Sequence, residues 1–550
     1  MINLRINHIE VKVTEGTPLI RAAADLGFEV PTLCYRFGNS VHPSCMVCMV
    51  KDLTNGKLYP SCAMPVGEGM DIITESEDLS IIRKEALELL LSDHVGDCEA
   101  PCRLSCPAFM NIPLMNRLIA EGKFEDALKL VREEIALPLI LGYICPAPCE
   151  KACRRRPIDG TISICLLKRI TADDPDRRIS NLGIPGKKSG KKVAIIGTGS
   201  AGLSAAFYLL RLGHECILFD KRAEAGGALR YDISEETLPR EALNAEIEDL
   251  KMMGAKFVME SEQTIQQLRN MNGGKFDAVI LATGSQKQHP VDELLKSADG
   301  TTRTLNGRTF ESRIEGVFAC GSILRDQRMA VRAAAQGKAA ALNVDRYLKG
   351  EAAREEHNMF NSTIGALRED EYPEYLKEGS SPVAVHPLKG FHGGYTNEEA
   401  IEEARRCMHC DCRKPVSCRL RILSDQYHAD RKHFAGPYRK QLLKYMQHDL
   451  VAYEPEKCIK CGLCIEIASR EKEKLGLSFV GRGFDVQVNV PFNQTTLEAL
   501  TRSAIECAEA CPTGALALKL KEELNNQNLT PHPSPSGEGP GGEAQFRIKQ

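Results

Sequence analysis

The chain has 550 residues, of which 43% are hydrophobic and 26% are charged, and its formal net charge is -3 at pH 7. This composition fits a globular protein of several domains and excludes a fibrous or wholly disordered chain. The absence of a basic excess predicts no nucleic-acid partner. No apolar run approaches the roughly 18 to 20 residues that span a bilayer, and the N-terminus lacks a secretory signal, so we expect no membrane span.

The 22 cysteines fall into tight groups along the chain. In a reducing compartment, clustered thiols favour metal binding over disulfides. Short spacings supply several thiolates from one loop, and a distant cysteine closes the cage around an iron-sulfur cluster. The grouping therefore predicts a cytoplasmic electron carrier.

Residues 1–77 are predicted to form the first domain. Residues 2–14 alternate apolar and polar positions around Asn7-His8, which predicts a hairpin, and strand signals recur near 46–50 and 70–74. Four cysteines follow at spacings of x10, x2 and x13: Cys34, Cys45, Cys48 and Cys62. With the Ser44-Cys45-Met46-Val47-Cys48 loop and Pro60-Ser61-Cys62, the segment resembles the 2Fe-2S domain of the large iron-sulfur subunit of complex I, iron-only hydrogenases and NAD-linked formate dehydrogenases. The resemblance implies a β-grasp fold with these four ligands. The alternative is four reduced cysteines packed in a small β domain.

Residues 78–180 have apolar positions every three or four residues, which predicts a helical domain. Its cysteines form the groups Cys98-x3-Cys102-x3-Cys106-Pro107 and Cys145-x3-Cys149-x3-Cys153, followed by Cys165. These groups resemble the helical 4Fe-4S domain of the glutamate synthase small subunit and of dihydropyrimidine dehydrogenase. In that domain a C-x2-C-x4-C-x3-C-P run pairs with a later Cys-Pro segment. Here the first cysteine of the run is missing and one spacing is a residue shorter.

His94-x3-Cys98 is similar to the histidine-led cluster motif of complex I and hydrogenases, which implies that His94 supplies the missing ligand. An ordinary helix-end histidine is the alternative. The resemblance implies two 4Fe-4S clusters, one held by His94, Cys98, Cys102 and Cys153, the other by Cys106, Cys145, Cys149 and Cys165. Tetrahedral zinc is the alternative for the whole set.

After a polar, glycine-rich linker at 181–190, residues 193–196 predict a buried strand that feeds a glycine turn and a helix. The turn reads Gly197-Thr198-Gly199-Ser200-Ala201-Gly202, and Asp220 ends the next strand. These glycines allow a pyrophosphate to approach the helix N-terminus, and the carboxylate accepts hydrogen bonds from ribose hydroxyls. Residues 191–350 are therefore predicted to be a Rossmann-like domain.

The residues around this turn resemble the FAD-binding half of the glutamate synthase small-subunit family, which favours FAD over NAD. The resemblance implies that FAD is bound by Gly197, Gly199, Ser200, Ala201, Gly202, Asp220, Gly227, Ala282, Thr283, Gly284, Gly321 and Ser322. Two positions depart from the family. Asp220 replaces the usual glutamate, and Ser322 replaces an aspartate near the flavin phosphate and ribitol.

In that family a second Rossmann unit, for the pyridine nucleotide, follows the Ala-Thr-Gly strand. Only about thirty residues, 285–315, separate this strand from the closing Gly-Val-Phe-Ala segment here, and the sequence has no second glycine fingerprint. A βαβ unit alone needs about 30 residues. We therefore expect that the chain does not bind NAD(P)H by itself.

Residues 351–450 are predicted to be an irregular and helical cysteine-rich region. Within it lie Cys407, Cys410, Cys412 and Cys418. Four thiolates within such a short run bind either a 4Fe-4S cluster or a zinc ion, since both accept four sulfurs in a tetrahedral arrangement. A group without metal is the third alternative.

Residues 451–520 are predicted to be a 4Fe-4S ferredoxin-like module. A two-cluster ferredoxin has the run C-x2-C-x2-C-x3-C-P twice, and each cluster takes its fourth ligand from the other run. Here Ala468, Thr501 and Ala504 replace cysteines of the two runs. One complete set remains, Cys458, Cys461, Cys464 and Cys511, with Cys507 left over. Residues 521–550 are rich in Pro, Ser, Gly and Glu, which predicts a disordered tail.

The expected fold class is multidomain α/β and α+β. No acid-base or nucleophile constellation stands out, so we expect no catalytic residues. The expected function is an electron-transfer oxidoreductase subunit with a 2Fe-2S cluster, about two to four 4Fe-4S clusters and FAD. Expected partners are ferredoxin or redox subunits such as a molybdopterin dehydrogenase, a hydrogenase or an NAD(P)H-oxidising protein. The alternatives are a wiring and docking subunit without flavin, and an NADPH oxidoreductase like the glutamate synthase small subunit.

Overall fold

The computed structural model describes residues 1–40, 42–183, 186–270, 276–285, 305–355, 359–379 and 383–519. The predicted tail at 521–550 and most of the short segment at 285–315 lie outside the described residues. Among the helices that are described, none combines the length and the apolar character needed to cross a bilayer.

The N-terminal segment folds as a mixed sheet packed against a helix. Its elements are β1 (Ile2–Ile6), β2 (Ile9–Val13), α1 (Leu19–Asp25), β3 (Met49–Asp52), β4 (Leu58–Pro60) and β5 (Asp71–Ile73). Asn7 and His8 have φ of 47° and 67°, as the tight hairpin turn between β1 and β2 requires. The strand order is β2-β1-β5-β3-β4, and β1 pairs with β5 in parallel. Leu4, Leu19 and Ile72 lie in the core of this domain.

A helical region follows, and proline begins several of its helices, where the missing N–H costs no hydrogen bond. Cys106 and Cys145 follow the last helical residues of α3 and α6, so these thiols lie in turns between helices. The helices are α2 (Glu77–Asp93), α3 (Pro101–Ser105), α4 (Ile112–Ala120), α5 (Phe124–Glu134), α6 (Pro138–Ile144), α7 (Pro148–Lys151), α8 (Arg156–Asp159), α9 (Ile164–Asp173) and α10 (Pro175–Ser180).

The next segment forms a parallel sheet with the strand order β10-β9-β6-β7-β8, which confirms the predicted Rossmann-like topology. The long helices α11 and α15 pack on each other, and the Ser204 hydroxyl of α11 donates to the Ala334 carbonyl of α15 at 2.7 Å. The elements are β6 (Lys192–Ile196), α11 (Ser200–Arg211), β7 (Glu215–Phe219), α12 (Ala228–Tyr231), α13 (Arg240–Met252), β8 (Lys256–Val258), α14 (Ile265–Asn270), β9 (Ala278–Leu281), β10 (Val317–Ala319) and α15 (Ala330–Leu348).

The C-terminal part consists of short elements around a small core. Strands β11 and β14 pair antiparallel, as do β12 and β13. The elements are α16 (Tyr372–Leu376), α17 (Gly390–Gly393), α18 (Asn397–Arg405), α19 (Arg419–Gln426), β11 (Val451–Tyr453), α20 (Leu463–Arg470), β12 (Ser478–Val480), β13 (Gln487–Asn489), α21 (Thr496–Ala499), α22 (Ala504–Ala510) and β14 (Leu516–Leu518). Single 3₁₀ turns lie at Gly321–Ile323, Glu369–Glu371, Pro455–Lys457, Gly483–Asp485 and Pro491–Asn493.

One apolar core joins the helical region, the nucleotide domain and α18. It includes Leu167, Phe207 and Ala404. Helix α18 packs on α4 and α9, although these helices lie far away in the sequence. This packing fixes the position of the cysteines that follow α18.

Candidate iron-sulfur and flavin sites

The four N-terminal cysteines converge in the first domain. Their exposed fractions are 4% or less, and the sulfurs of Cys34 and Cys45 lie 3.4 Å apart. Hydrogen bonds from Cys45 and Cys62 lower the pKa of Cys34. A hydrogen bond from Cys62 lowers the pKa of Cys48 to about 7. Thiols packed this closely, some with a lowered pKa, fit the ligand set of a 2Fe-2S cluster, because iron binds the thiolate.

Backbone geometry holds the two cysteine loops of this domain together. Met46 has φ of 57°, which turns the chain between Cys45 and Cys48. The Ser61 hydroxyl and amide donate to the Cys48 carbonyl at 2.7 and 3.1 Å. Ser61 therefore ties the loop that carries Cys62 to the loop that carries Cys45 and Cys48.

A second set of thiols surrounds a buried ammonium group. Lys168 on α9 has 3% of its surface exposed. Burial lowers the pKa of Lys168, but the neighbouring Cys165, Cys145, Cys149 and Cys106 outweigh burial and raise it above its ordinary value. The structure thus brings together the four cysteines predicted to form one cluster. Sequence reasoning missed Lys168, although its position three residues after Cys165 on a helix was a usable signal.

Cys102 and Cys153 have different neighbours from those expected. One cavity is lined by Cys102, Cys153, Cys407 and Cys410. Burial, together with the charges of Cys407, Cys410 and Cys153, raises the pKa of Cys102 well above its ordinary value. The segment after α18 thus packs against these two thiols, whereas the sequence predicts that they share a site with His94 and Cys98.

Cys98 lies against the second half of the 407–418 run. The Cys412 amide donates to the Cys98 carbonyl at 3.1 Å. Burial raises the pKa of Cys418 to about 12, and the charges of Cys412 and Cys98 add to this shift. In this run, Cys407 and Cys410 line the cavity with Cys102 and Cys153, whereas Cys418 has Cys412 and Cys98 as neighbours. Within the described residues, no three or more His, Cys, Asp or Glu side chains are spaced for a single metal ion.

His94 lies at the C-terminal end of α2 and contacts the C-terminal module. Its Nδ1 lies 3.1 Å from the Lys457 carbonyl oxygen, and the Val95 amide donates to Glu456 at 2.8 Å. Burial, followed by the Lys457 charge, lowers the pKa of His94 to about 4, so the ring is neutral at pH 7. A neutral ring with one nitrogen bonded to a carbonyl keeps its other nitrogen as an acceptor. His94 thus follows the last residue of α2 with one ring nitrogen bonded to the C-terminal module.

The C-terminal module brings Cys458, Cys461, Cys464 and Cys511 together. Burial raises the pKa of Cys458 to about 12, and the charge of Cys511 adds to this shift. The same causes, with Cys458 and Cys461 as neighbours, raise the pKa of Cys464. Cys507 is fully buried in the apolar core of the module, and its thiol donates to the Cys464 carbonyl at 3.5 Å. The structure thus packs Cys507 beside the other four thiols.

The first and last cysteine groups share one apolar cluster. It contains Cys34, Cys45 and Cys418, with Ile459 and Cys461 packed against it. At the same contact Arg36 pairs with Glu506 at 3.1 Å, and Arg470 donates to Asn39 at 2.9 Å. The loops that carry the predicted 2Fe-2S and C-terminal 4Fe-4S ligands therefore face each other directly.

The glycine turn after β6 has the shape of a dinucleotide site. Gly197 has φ of 106°, and an added Cβ there would overlap the Ala282 carbonyl. A Cβ on Gly202 would overlap the Gly197 carbonyl, whereas a Cβ on Gly199 would meet nothing within 4 Å. Gly199 thus leaves open space in front of Ser200, where α11 begins and its free N–H groups attract a phosphate. This cradle fits the pyrophosphate of FAD.

Asp220 and the Gly321-Ser322 segment of this site form hydrogen bonds with other residues of the chain. Asp220 accepts from the Thr198 amide at 2.9 Å and from its hydroxyl at 2.6 Å. The Gly321 amide donates to the Gln336 side chain at 3.1 Å, and the Ser322 hydroxyl donates to the Gln327 carbonyl at 3.0 Å. These bonds tie Asp220 to the turn before α11 and tie Gly321 and Ser322 to α15 and the loop before it.

The remaining predicted flavin positions line the same end of the sheet. Ala282 follows β9, and its amide donates to the Ile196 carbonyl of β6 at 2.8 Å. Thr283 and Gly284 follow it, and Gly284 has φ of 88°. A Cβ on Gly227 would stand 3.0 Å from the Gly199 backbone, so this residue closes the cradle from the other side.

Three segments of the chain match families of redox domains. Residues 1–77 match a 2Fe-2S iron-sulfur cluster binding domain, and residues 92–178 match dihydropyrimidine dehydrogenase domain II with its 4Fe-4S cluster. Residues 191–312 match a pyridine nucleotide-disulphide oxidoreductase domain. The chain therefore combines a 2Fe-2S domain, a helical 4Fe-4S domain and a nucleotide domain of the pyridine nucleotide-disulphide oxidoreductase type. The matches confirm the predicted cofactor classes, 2Fe-2S, 4Fe-4S and FAD.

Relatives of known name share parts of this arrangement. The NADPH-Fe(3+) oxidoreductase subunit beta of Geobacter sulfurreducens is 33% identical over 199 residues, which cover 35% of this chain and 29% of that protein. The glutamate synthase (NADPH) small chain of Bacillus subtilis is 35% identical over 195 residues, covering 35% and 39%. The NAD-dependent dihydropyrimidine dehydrogenase subunit PreT of Escherichia coli is 32% identical over 228 residues, covering 40% and 54%. The chain spans less than a third of the length of the first curated relatives it matches.

Proposed function

We propose that this chain is an electron-transfer subunit of a cytoplasmic redox complex, in which electrons pass among a 2Fe-2S cluster, 4Fe-4S clusters and FAD. FAD links two-electron and one-electron chemistry, since clusters carry single electrons. Several relatives are named as subunits of NADPH-, NADP(+)- or NAD-dependent oxidoreductases, which supports this role. The partners we propose are ferredoxin or another redox subunit, such as a molybdopterin dehydrogenase, a hydrogenase or an NAD(P)H-oxidising protein.

The domains we propose are a β-grasp ferredoxin at 1–77, a helical 4Fe-4S domain at 78–180 and an FAD domain at 191–350. A cysteine-rich region at 351–450 and a ferredoxin-like module at 451–520 complete the described chain. The 2Fe-2S cluster takes Cys34, Cys45, Cys48 and Cys62 as ligands. One 4Fe-4S cluster takes Cys106, Cys145, Cys149 and Cys165, and another takes Cys458, Cys461, Cys464 and Cys511.

The apolar cluster between the first and last cysteine groups carries the relay proposal. Cys34 and Cys461 lie in or against the same cluster, so the two proposed redox centres are separated by side chains rather than by solvent. At its edge, the Arg36–Glu506 ion pair and the Arg470–Asn39 hydrogen bond link the two loops. Two centres held in a rigid, water-excluding contact exchange electrons with little rearrangement of their surroundings.

The matched variants Cys511→Ala and Cys507→Ala test this arrangement, since both remove a thiol from the same module. Cys511→Ala should remove about four iron atoms, because a cluster loses its fourth ligand. It should also remove any broadening that the reduced 4Fe-4S cluster imposes on the electron paramagnetic resonance signal of the 2Fe-2S cluster. Cys507→Ala should leave iron and signal unchanged. Equal iron loss in both variants, or a 2Fe-2S signal that never responds to the other cluster, would contradict the proposal.

A wiring subunit without flavin is the second candidate, and the internal bonds of Asp220 and Ser322 favour it, because these groups already have protein partners. Anaerobic purification followed by cofactor analysis distinguishes the electron relay with FAD from the wiring subunit without flavin. Stoichiometric FAD supports the relay, whereas iron and sulfide without flavin support the wiring subunit. NADPH added to the isolated chain should not reduce its flavin; rapid bleaching would favour the NADPH oxidoreductase instead.

A further inference from the structure

The helical region has two thiols whose ligand set is incomplete within that region. Four of its cysteines surround Lys168, and Cys98 lies against Cys412. Cys102 and Cys153 remain, which is half of what a 4Fe-4S cluster requires. The sequence shows the same shortage, because the first cysteine of the expected run is missing.

A distant segment of the chain supplies the two further thiols that a 4Fe-4S cluster would need. Cys407 and Cys410 line the same cavity as Cys102 and Cys153, together with Asn116 and Arg154. A C-x2-C pair is the spacing at which one loop commonly supplies two ligands to a cluster. The cavity is therefore bordered by four thiols from three parts of the chain.

Buried ion pairs hold the distant segment in place. Arg406 and Glu403 have fully buried side chains and pair at 2.8 Å, and Arg406 also reaches Asp159 of the helical region at 3.2 Å. Arg155 donates to the Arg406 carbonyl, immediately before Cys407. On the other side, Arg117 pairs with Asp411 at 2.9 Å. The Cys407–Cys410 loop is thus anchored at one end to α8 and at the other end to α4.

The surroundings of the cavity suit a negatively charged cluster. Arg154 has 7% of its side chain exposed and pairs with Asp97. Asn116 on α4 is buried and lines the same space. Hydrogen bonds and positive charges near the sulfurs are the usual means by which a protein stabilises and tunes such a centre.

We propose that Cys102, Cys153, Cys407 and Cys410 hold one 4Fe-4S cluster, which joins the helical region to the segment after α18. This inference rests on the proposed iron-sulfur function. The two proposals can be told apart by experiment. If the iron-sulfur function is wrong, the wild-type protein has no iron and no 2Fe-2S signal. If only the cluster at Cys102, Cys153, Cys407 and Cys410 is wrong, the wild-type protein keeps its iron and its 2Fe-2S signal.

The variants Cys102→Ser, Cys407→Ser and the double variant test the shared site. Each single variant should lose about four iron atoms, and the double variant should lose no more than either, because all three break one cluster. Cys216→Ser removes a more deeply buried thiol from β7 and should keep all its iron. A double variant that loses about twice as much iron as each single one, or a Cys407→Ser protein with full iron, would overturn the proposal.

Thiol labelling of the wild type keeps the test independent of folding in the variants. In the anaerobic native protein, an alkylating reagent should leave all four cysteines unmodified. Stepwise removal of iron by a chelator should expose the four to the reagent together, as followed by mass spectrometry. Labelling of Cys407 and Cys410 in the native protein while Cys102 and Cys153 stay protected would show that they belong to separate sites.

Discussion

Two alanine substitutions in one turn, Gly199→Ala and Gly202→Ala, separate flavin binding from folding. Gly199 has φ of -76° and ψ of -174°, a conformation that alanine adopts freely, and its Cβ would point into open space. Gly202 lies inside α11, and its Cβ would overlap the Gly197 carbonyl at well under 3.0 Å. Gly199→Ala should therefore change the affinity for FAD, and Gly202→Ala should change the stability of the fold.

The expected magnitudes follow from this difference. Gly202→Ala gains about 0.5 to 1 kcal/mol from helix propensity. It loses about 3 kcal/mol by overpacking against rigid backbone, so the free energy of unfolding should fall by about 2 kcal/mol. Gly199→Ala should change it by no more than about 0.5 kcal/mol. A methyl group at the closest approach of the pyrophosphate should cost about 1 to 3 kcal/mol of binding, or roughly 5- to 150-fold in FAD affinity.

Urea unfolding of the apoproteins and fluorescence titration with FAD measure the two quantities separately. Gly199→Ala should unfold like the wild type and bind FAD more weakly, whereas Gly202→Ala should unfold at lower urea. If Gly199→Ala bound FAD with wild-type affinity, the turn after β6 would not be the flavin site. If Gly202→Ala were as stable as the wild type, the close approach of Gly197 and Gly202 would not constrain the fold.

Two further predictions concern buried polar groups. Asn116 donates a hydrogen bond to Cys407. Asn116→Leu removes this bond and should therefore lower the midpoint potential of the cluster proposed at Cys407 by about 40 mV. This value combines ~1 kcal/mol for one hydrogen bond with ~59 mV for each tenfold change in the equilibrium constant. Redox titration followed by paramagnetic resonance measures this, and an unchanged or higher potential would contradict it. Burial raises the pKa of Glu246 to about 8 from an ordinary value of 4.5, so the native state holds this proton more tightly than the unfolded chain does. Stability should therefore fall as pH rises from about 4.5 to about 8, and Glu246→Gln should remove this slope in urea unfolding; identical pH profiles would refute the assignment.

The parallel sheet and its glycine turn could be predicted from the sequence because their signals are local. A buried strand, a glycine run and the start of a helix follow one another directly between Lys192 and Arg211. The same holds for the N-terminal cysteine group, whose members come from two loops of one small domain. Where the residues that form a site lie close together in the chain, their spacing and residue type are sufficient to predict the site.

The division of the 407–418 run could not be predicted from its spacing. Spacing shows which thiols are close along the chain, but packing decides which other segments they meet. Here the decisive contact is between α18 and the helices α4 and α9, through small buried residues such as Ala400 and Ala404. Alanines on a short amphipathic helix give no sign of their partner, so the proximity of Cys407 to Cys102 becomes visible only in three dimensions.

The position of α18 also has a consequence for biosynthesis. Its apolar face packs on α4 and α9, both of which are made before residue 180. Until residues 397–405 have left the ribosome, the faces of α4 and α9 that pack on α18 are exposed to water. A nascent chain stalled or truncated before this point should therefore bind chaperones, and the cluster proposed beside α4 can assemble only after Cys410 has emerged.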